Sequence, residues 1–286
     1  MDGYLDRLDT LNSRQFLIAV RKLADSLSFG ADHSPFLGSG VEYVQSRQYQ
    51  IGDPIKSIDW RVTARTGKVF VKQYEAPRQL PCYMLIDTSA SMTISSYRKS
   101  KYMVALHLAG GLALACLDRI SPVGVVGVGD LEFRVEPSLS KHQIMQWLAR
   151  LRRFRYDEST RLGQRVDHLI PRLNSRAMVM VFSDLHERNA ISALKRLAQK
   201  HDCVALQLRD PAERGIRGAG FLRAQHAESG REMTTRAAHN RLDQETVNEQ
   251  LKRSGIDHLI IDTDKPFVRQ LRHFFKARNL LGRGSR

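Results

Sequence analysis

An α/β fold, with a mostly parallel central sheet covered by helices on both faces, is what this sequence predicts, and three observations predict it. From residue 80 onward, short and almost unbroken apolar runs alternate with longer helical patterns. Strands buried on both faces read as continuous apolar runs, whereas a sheet with one wet face alternates. The runs PCYMLI (81–86), VGVVGV (123–128), AMVMVF (177–182) and CVALQL (203–208) have the length of strands. Two of them are followed by a carboxylate, Asp87 directly and Asp184 after Ser183. Ligands of open α/β sheets gather outside the carboxyl ends of the strands.

The elements follow in order. Residues 11–28 form an amphipathic helix in which Phe16, Val20, Leu23 and Leu27 recur three or four apart, with Ile18 and Ala24 beside them. Packing on a core is its expected role, because burial of such a face supplies most helical stability; a docking arm is the alternative. Residues 29–40 are turn-rich. A turn on Gly52, Asp53 and Pro54 precedes a short helix over 58–64 and a strand near 69–73 that enters a sheet edge. Asp59 is placed to cap that helix, with Trp60 partly buried. Together with Arg47, Tyr49, Arg61 and Arg65, they make either a docking surface or an internal ion-pair network.

Helices are predicted over 98–118, 139–153, 160–169 and 190–200, between and after the apolar strands. Residues 211–236 read as a hairpin turning at Ser229 and Gly230, followed by a helix over 241–253, a short strand at 258–261 and a helix over 265–277. The expected organisation is an accessory segment (1–78), the α/β domain (79–210), an extension packing on it (211–278) and a basic tail (279–286).

Composition narrows the function classes. With 286 residues, 42% hydrophobic and 26% charged, the chain suits one large globular domain or one with a smaller attachment. The apolar helix at 102–117 is interrupted by His107 and two glycines and falls short of the roughly twenty residues a membrane span needs. Asp2, Asp6 and Asp9 argue against a signal peptide, so the expected location is the cytoplasm. Cys82, Cys116 and Cys203 form no C-x-x-C pair and read as reduced core cysteines, which gives a Cys₄ or Cys₂His₂ zinc site no support. The formal charge of +15 favours anionic partners. Nucleic acid, an acidic protein face and an anionic membrane surface all qualify.

The strongest chemical signal is DTSAS. Asp87 ends an apolar strand, and Ser89 and Ser91 follow two and four residues on. Asp184 ends a second such strand, and Thr160 belongs to the loop before the helix TRLGQRVDHLI. Hydroxyls and carboxylates without sulfur or imidazole suit a hard cation such as Mg²⁺, which keeps some of its waters. An incoming carboxylate then completes the shell. The plainer alternatives are an Asx-turn at Asp87 and a helix cap at Asp184. The basic run ARLRRFRYDESTR, near Thr160, either steers an acidic partner or is a solvated charge run. No phosphate-binding loop, dinucleotide fingerprint, H-E-x-x-H or G-x-S-x-G occurs, and Ser89 has no identifiable base.

At these residues the chain resembles the bacterial DUF58 proteins, which contain a von Willebrand factor A-like domain. The resemblance is carried by R-x-Y-x-x-G-D at Arg47 to Asp53, I-D-W-x-x-x-A-R at Ile58 to Arg65, and YMLIDTSASM at 83–92. It implies a Rossmann-like sheet and a metal-ion-dependent adhesion site built from Asp87, Ser89, Ser91, Thr160 and Asp184. The threonine matches loosely: Glu158 and Ser159 stand where glycines are common, so Ser159 is a rival ligand. The bound ion would be Mg²⁺ or another divalent cation such as Ca²⁺ or Mn²⁺. The resemblance further implies a non-enzymatic adaptor or co-chaperone that works with a MoxR-type AAA+ ATPase and grips an acidic client protein. Two other readings stay open: a nucleic-acid-binding protein driven by the positive charge, and a Mg²⁺-dependent hydrolase, for which Asp157, Glu158 and Glu187 are the acids near in sequence.

Overall fold

The computed structural model describes residues 2–4, 13–28, 42–75, 80–155, 158–187, 189–214, 221–225, 232–236 and 244–280. The chain begins with strand β1 (Asp2–Tyr4) and helix α1 (Ser13–Ser28). The antiparallel strands β2 (Glu42–Gln48) and β3 (Phe70–Glu75) follow, with helix α2 (Trp60–Thr66) between them. Next come β4 (Cys82–Ile86), the short α3 (Ala90–Thr93), the long α4 (Lys101–Leu117), β5 (Val123–Gly127) and β6 (Phe133–Ser138). Helix α5 (Lys141–Leu151), β7 (Arg153–Arg155), α6 (Leu162–Leu169), β8 (Met178–Ser183), α7 (Ala190–Ala198) and β9 (Asp202–Arg209) complete the middle of the chain. The hairpin β10 (Phe221–Gln225) and β11 (Glu232–Arg236), then α8 (Gln244–Arg253), β12 (Asp257–Asp262) and α9 (Val268–Leu280), end it.

The core is a six-stranded sheet in the order β12-β9-β8-β4-β5-β6. Every pairing is parallel except the last, where β6 runs against β5. Alternation along the strands divides the core in two. Met84, Ile86, Met180, Phe182, Val204 and Leu206 point to the face covered by α1, α4, α5 and α9. Leu85, Val179, Val181 and Ala205 point to the other, with α6, α7 and α8. The expected α/β architecture, with helices on both faces, is therefore the one observed.

The differences have local causes. The helix expected to reach residue 153 stops at Leu151, because 153–155 pair with 2–4 instead. The helix expected from residue 160 starts at Leu162, because the preceding loop is bonded to the end of β5: the Arg161 amide donates to the Val128 carbonyl at 2.7 Å. The 211–236 hairpin forms, while its expected turn at Ser229 and Gly230 lies outside the described residues, as do residues 29–40. Trp60, expected to be partly buried, is 67% exposed, and Ile18 is 44% exposed. No helix among the described residues is long and apolar enough to cross a membrane.

Two contacts fix the outer helices. Helix α1 buries Phe16, Val20, Leu23 and Ala24 against α4, which is itself apolar all round and buried between α1 and the sheet. Gly110 and Gly111 permit this approach: a Cβ on Gly111 would lie 2.6 Å from Leu23 Cδ2 and 3.0 Å from Leu23 Cβ. At the other end of the chain, Arg278 of α9 is 6% exposed. It donates to Asp257 Oδ2 at 2.7 Å and to Asp202, the first residues of the adjacent strands β12 and β9. One guanidinium thus neutralises two carboxylates that the parallel pairing sets near each other.

Gly111→Val is expected to lower stability by about 1–3 kcal/mol through overpacking against Leu23. Chemical denaturation measures it, and combination with Leu23→Ala should recover part of the loss.

Candidate metal centre

Strand β4 has β5 on one side and β8 on the other, so the strand order reverses there. Its carboxyl end is a topological switch point, and the parallel β8 delivers its own carboxyl end to the same edge. Asp87 follows β4 and stays in the ladder, its amide donating to the Phe182 carbonyl at 2.9 Å. Asp184 follows β8. Asp87 and Ser89 are completely buried and Asp184 is 1% exposed. Ser89 is the N-cap residue of α3, which turns Ser91 back over the edge.

The polar groups are densely connected. Asp87 Oδ2 accepts from Ser183 Oγ at 2.6 Å, and Asp87 Oδ1 accepts from the Ser89 amide at 3.1 Å. The second bond is the Asx-turn that sequence also allowed. Ser89 Oγ and Ser91 Oγ lie 3.1 Å apart, and Ser91 Oγ donates to Asp184 Oδ2 at 2.9 Å. Asp184 does not cap α7, whose N-cap residue is Asn189. Four of the five expected residues, Asp87, Ser89, Ser91 and Asp184, are therefore linked through side-chain or short backbone contacts.

Thr160 lies half-buried on the neighbouring loop. That loop is fastened on both sides of it: the Ala90 amide donates to the Glu158 carbonyl at 2.7 Å, and Arg161 bonds to Val128 as described. The Ser159 amide donates to Asp130 Oδ2 at 2.8 Å. Glu158, 6% exposed, accepts from the Leu131 amide at 2.8 Å through Oε1. Gly129 makes room for this convergence, since a Cβ there would fall 2.2 Å from Thr88 Oγ1 and 2.4 Å from Glu158 Oε1. Of the basic run, Arg161 is tied to Asp130 at 2.7 Å and Arg152 is buried, while Tyr156 and Asp157 lie outside the described residues.

Three site residues have no counterpart in the sequence reading. Lys101, 3% exposed at the start of α4, donates from Nζ to Asp184 Oδ2 at 2.7 Å and also to Glu213 Oε1. His186 Nδ1 lies 3.1 Å from Asp184 Oδ2. Ligand atoms of Asp184, His186 and Glu213 all fall within 4.8 Å of one another, so this trio is able to coordinate a divalent cation. Such an ion would have to share both carboxylates with the Lys101 ammonium. Only the His186 position, two residues after Asp184, was readable locally; Lys101 and Glu213 arrive from 83 residues and 29 residues away along the chain.

The two buried aspartates differ in charge state. Burial alone pushes Asp184 upward, but the bond from His186 and the Lys101 charge outweigh it and hold the carboxyl far below the usual range. Lys101 is likewise held above its ordinary value, against the cost of its burial, by Asp184 and Glu213. Asp87 has no cation beside it among the described residues. Burial, then the charge of Asp184, pushes it up to about 7 despite the bonds from Ser183 and Ser89. Ionising Asp87 would therefore add a buried charge that Lys101, already shared between Asp184 and Glu213, does not neutralise. A hard cation beside the two serine hydroxyls would correct that, and the donor set on this side is oxygen only.

Comparison with known proteins supports a family assignment. A family model described as "Protein of unknown function DUF58" matches residues 45–255. Uncharacterized proteins of Mycobacterium tuberculosis and Mycobacterium bovis are 26% identical over 283 residues, covering 93% of this chain and 88% of theirs. A crystal structure of an uncharacterized membrane spanning protein from Vibrio fischeri aligns with 70% of this chain and 98% of its own at 14% identity and a TM-score of 0.22, a likeness that carries no argument.

Lys101→Met should cost about 3–5 kcal/mol in chelator, because it leaves buried Asp184 without its counter-ion. Millimolar Mg²⁺ or Mn²⁺ should restore part of that loss in a thermal-shift assay, and more of it than in the wild type.

Proposed function

The chain belongs to the family of proteins of unknown function DUF58, and from that premise we propose that it is a non-catalytic adaptor that holds a divalent cation at the β4–β8 edge and grips a carboxylate of a protein partner there. The observation that carries this reading is the pair of buried aspartates, Asp87 and Asp184, of which only Asp184 has a cation, with two adjacent serine hydroxyls on the same edge. Bound there, a divalent cation supplies a coordination position that an incoming carboxylate completes. Ser89 and Ser91 are the direct oxygen donors in this reading, with Thr160 or Ser159 as the hydroxyl from the neighbouring loop. Asp87 and Asp184 neutralise and orient. Ser183 holds Asp87 in position, while Lys101 keeps Asp184 ionised and aimed across the edge.

The proposed cation is Mg²⁺, with Ca²⁺ or Mn²⁺ as substitutes. The von Willebrand factor A-like character that the DTSAS segment resembles favours adhesion over catalysis. By the same resemblance the partners are a MoxR-type AAA+ ATPase and an acidic client in the cytoplasm. The cluster of Asp184, His186 and Glu213 supports a second seat for the ion, one with an imidazole ligand that suits Mn²⁺ or Zn²⁺ better than Mg²⁺.

Calorimetric titration with Mg²⁺ should show saturable binding that disappears in Asp87→Asn, which leaves the Lys101–Asp184 pair intact, while circular dichroism remains native. Ser89→Ala should weaken binding at least tenfold and His186→Ala should not. The opposite ranking would move the ion to the imidazole seat, and no binding to either protein would sink the resting metal site. A pull-down with the ATPase should succeed with Mg²⁺ and fail with chelator.

The raised Asp87 value also sets a pH dependence. Its folded form keeps a proton that the unfolded chain releases near the ordinary carboxylate value, so its stabilising contribution in chelator is lost as pH rises from about 4 through about 7. The cation binds the ionised form. Mg²⁺ should therefore raise the melting temperature more at pH 8 than at pH 6, and Asp87→Asn should remove that difference.

A further inference from the structure

The connection between β2 and β3 is built unlike the rest of the molecule. Helix α2 buries none of its residues, yet a helix of seven residues has little stability of its own. It is held instead by polar contacts. Asp59 Oδ1 accepts from the Arg61 and Val62 amides at 3.1 and 3.2 Å, Asp59 Oδ2 accepts from Ser46 Oγ at 2.7 Å, and the Phe70 amide donates to Thr63 Oγ1 at 3.0 Å. Arg47 locks the base of the connection with a two-pronged pairing to Asp53 at 2.7 and 2.8 Å. With the helix fixed in this way, its large side chains stay outside. Trp60 is 67% exposed and lines a cleft of about 590 Å³ together with the apolar Ile58 and Val62. Arg61 and Arg65, one helical turn apart, and Lys72 from β3 line the same cleft. Neither arginine has an acidic partner among the described residues; Asp59, the carboxylate in the cleft lining, caps the helix, accepts from Ser46 and faces the charge of Lys72.

We propose that this cleft is a second docking site, and that its occupant is an acidic segment of a protein partner carrying one apolar anchor residue. Two arginines without acidic partners beside one apolar recess are complementary to carboxylates flanking a single aliphatic or aromatic side chain. Tryptophan and arginine are also the residues that dominate binding energy in protein interfaces. Single-stranded nucleic acid would instead call for successive stacking platforms along a basic groove, and the cleft lining offers one ring. The site does not include Asp87 or Asp184 and is independent of the metal reading.

The test uses the full chain, in chelator, on an array of random twelve-residue peptides. Hits are then titrated by fluorescence anisotropy of the labelled peptide, a signal that does not come from Trp60 and so reads every variant. The expected result is a consensus rich in Asp and Glu around one Leu, Ile or Phe. Affinity should fall at least tenfold in Trp60→Ala and in Arg61→Glu/Arg65→Glu, and should be unchanged in Asp87→Asn, which leaves the Lys101–Asp184 pair intact. Both cleft variants alter exposed side chains and should keep the wild-type melting temperature. Hits without an acidic consensus, binding indifferent to both cleft variants, or tighter binding of a labelled twelve-nucleotide single-stranded DNA than of any peptide would overturn the proposal.

Discussion

The contact between Lys101 and Asp184 is the constraint around which the functional edge is organised. A carboxylate and an ammonium, both nearly inaccessible to water, are held 2.7 Å apart. The desolvation cost of burying them is large, and it is offset only while each keeps its partners. The pair couples the end of β8 to the start of α4, and through Glu213 it also reaches the segment after β9. Ser91 and His186 add to the same carboxylate oxygen. Asp184 is thereby fixed in direction and charge, and Asp87 is left as the buried acid whose state can change.

The parallel sheet makes this arrangement available. Adjacent strands β4 and β8 place their last residues side by side, and the reversal of strand order at β4 opens a crevice where two crossover loops part. The apolar strands carry no chemistry themselves. Their continuous burial fixes the register, so Asp87 and Ser183 meet across neighbouring strand ends at 2.6 Å. The loop at 158–161 completes the rim by backbone bonds, and the Thr88 and Glu158 side chains fill the space beside Gly129.

Much of this was legible in the residues. Four strands of the sheet were readable because burial on both faces leaves unbroken apolar runs. Asp87, Ser89, Ser91 and Asp184 were readable because they follow two of those runs. Strand β6 was not: at the sheet edge, FRVEPS is only half-buried and carries polar residues without a run. Lys101 was hidden because a lysine at a helix start gives no local sign that it will be buried. Trp60 misled in the other direction, since a tryptophan near a capped helix is more often covered than exposed. Each failure involves a contact made or withheld over long sequence distance, where periodicity has no reach.

Arg278 gives the C-terminal part of the chain a meaning that the domain core alone does not suggest. The family match ends at residue 255, yet β12 begins at Asp257 and forms the outer strand beside β9. The guanidinium that neutralises the starts of both strands sits twenty-one residues further on. A premature stop after the matched region would therefore do more than shorten the protein. It would bare the long apolar edge of β9 to other chains and leave Asp202 without its counter-charge. Loss of the last thirty-one residues should be felt as aggregation and poor yield in the cell.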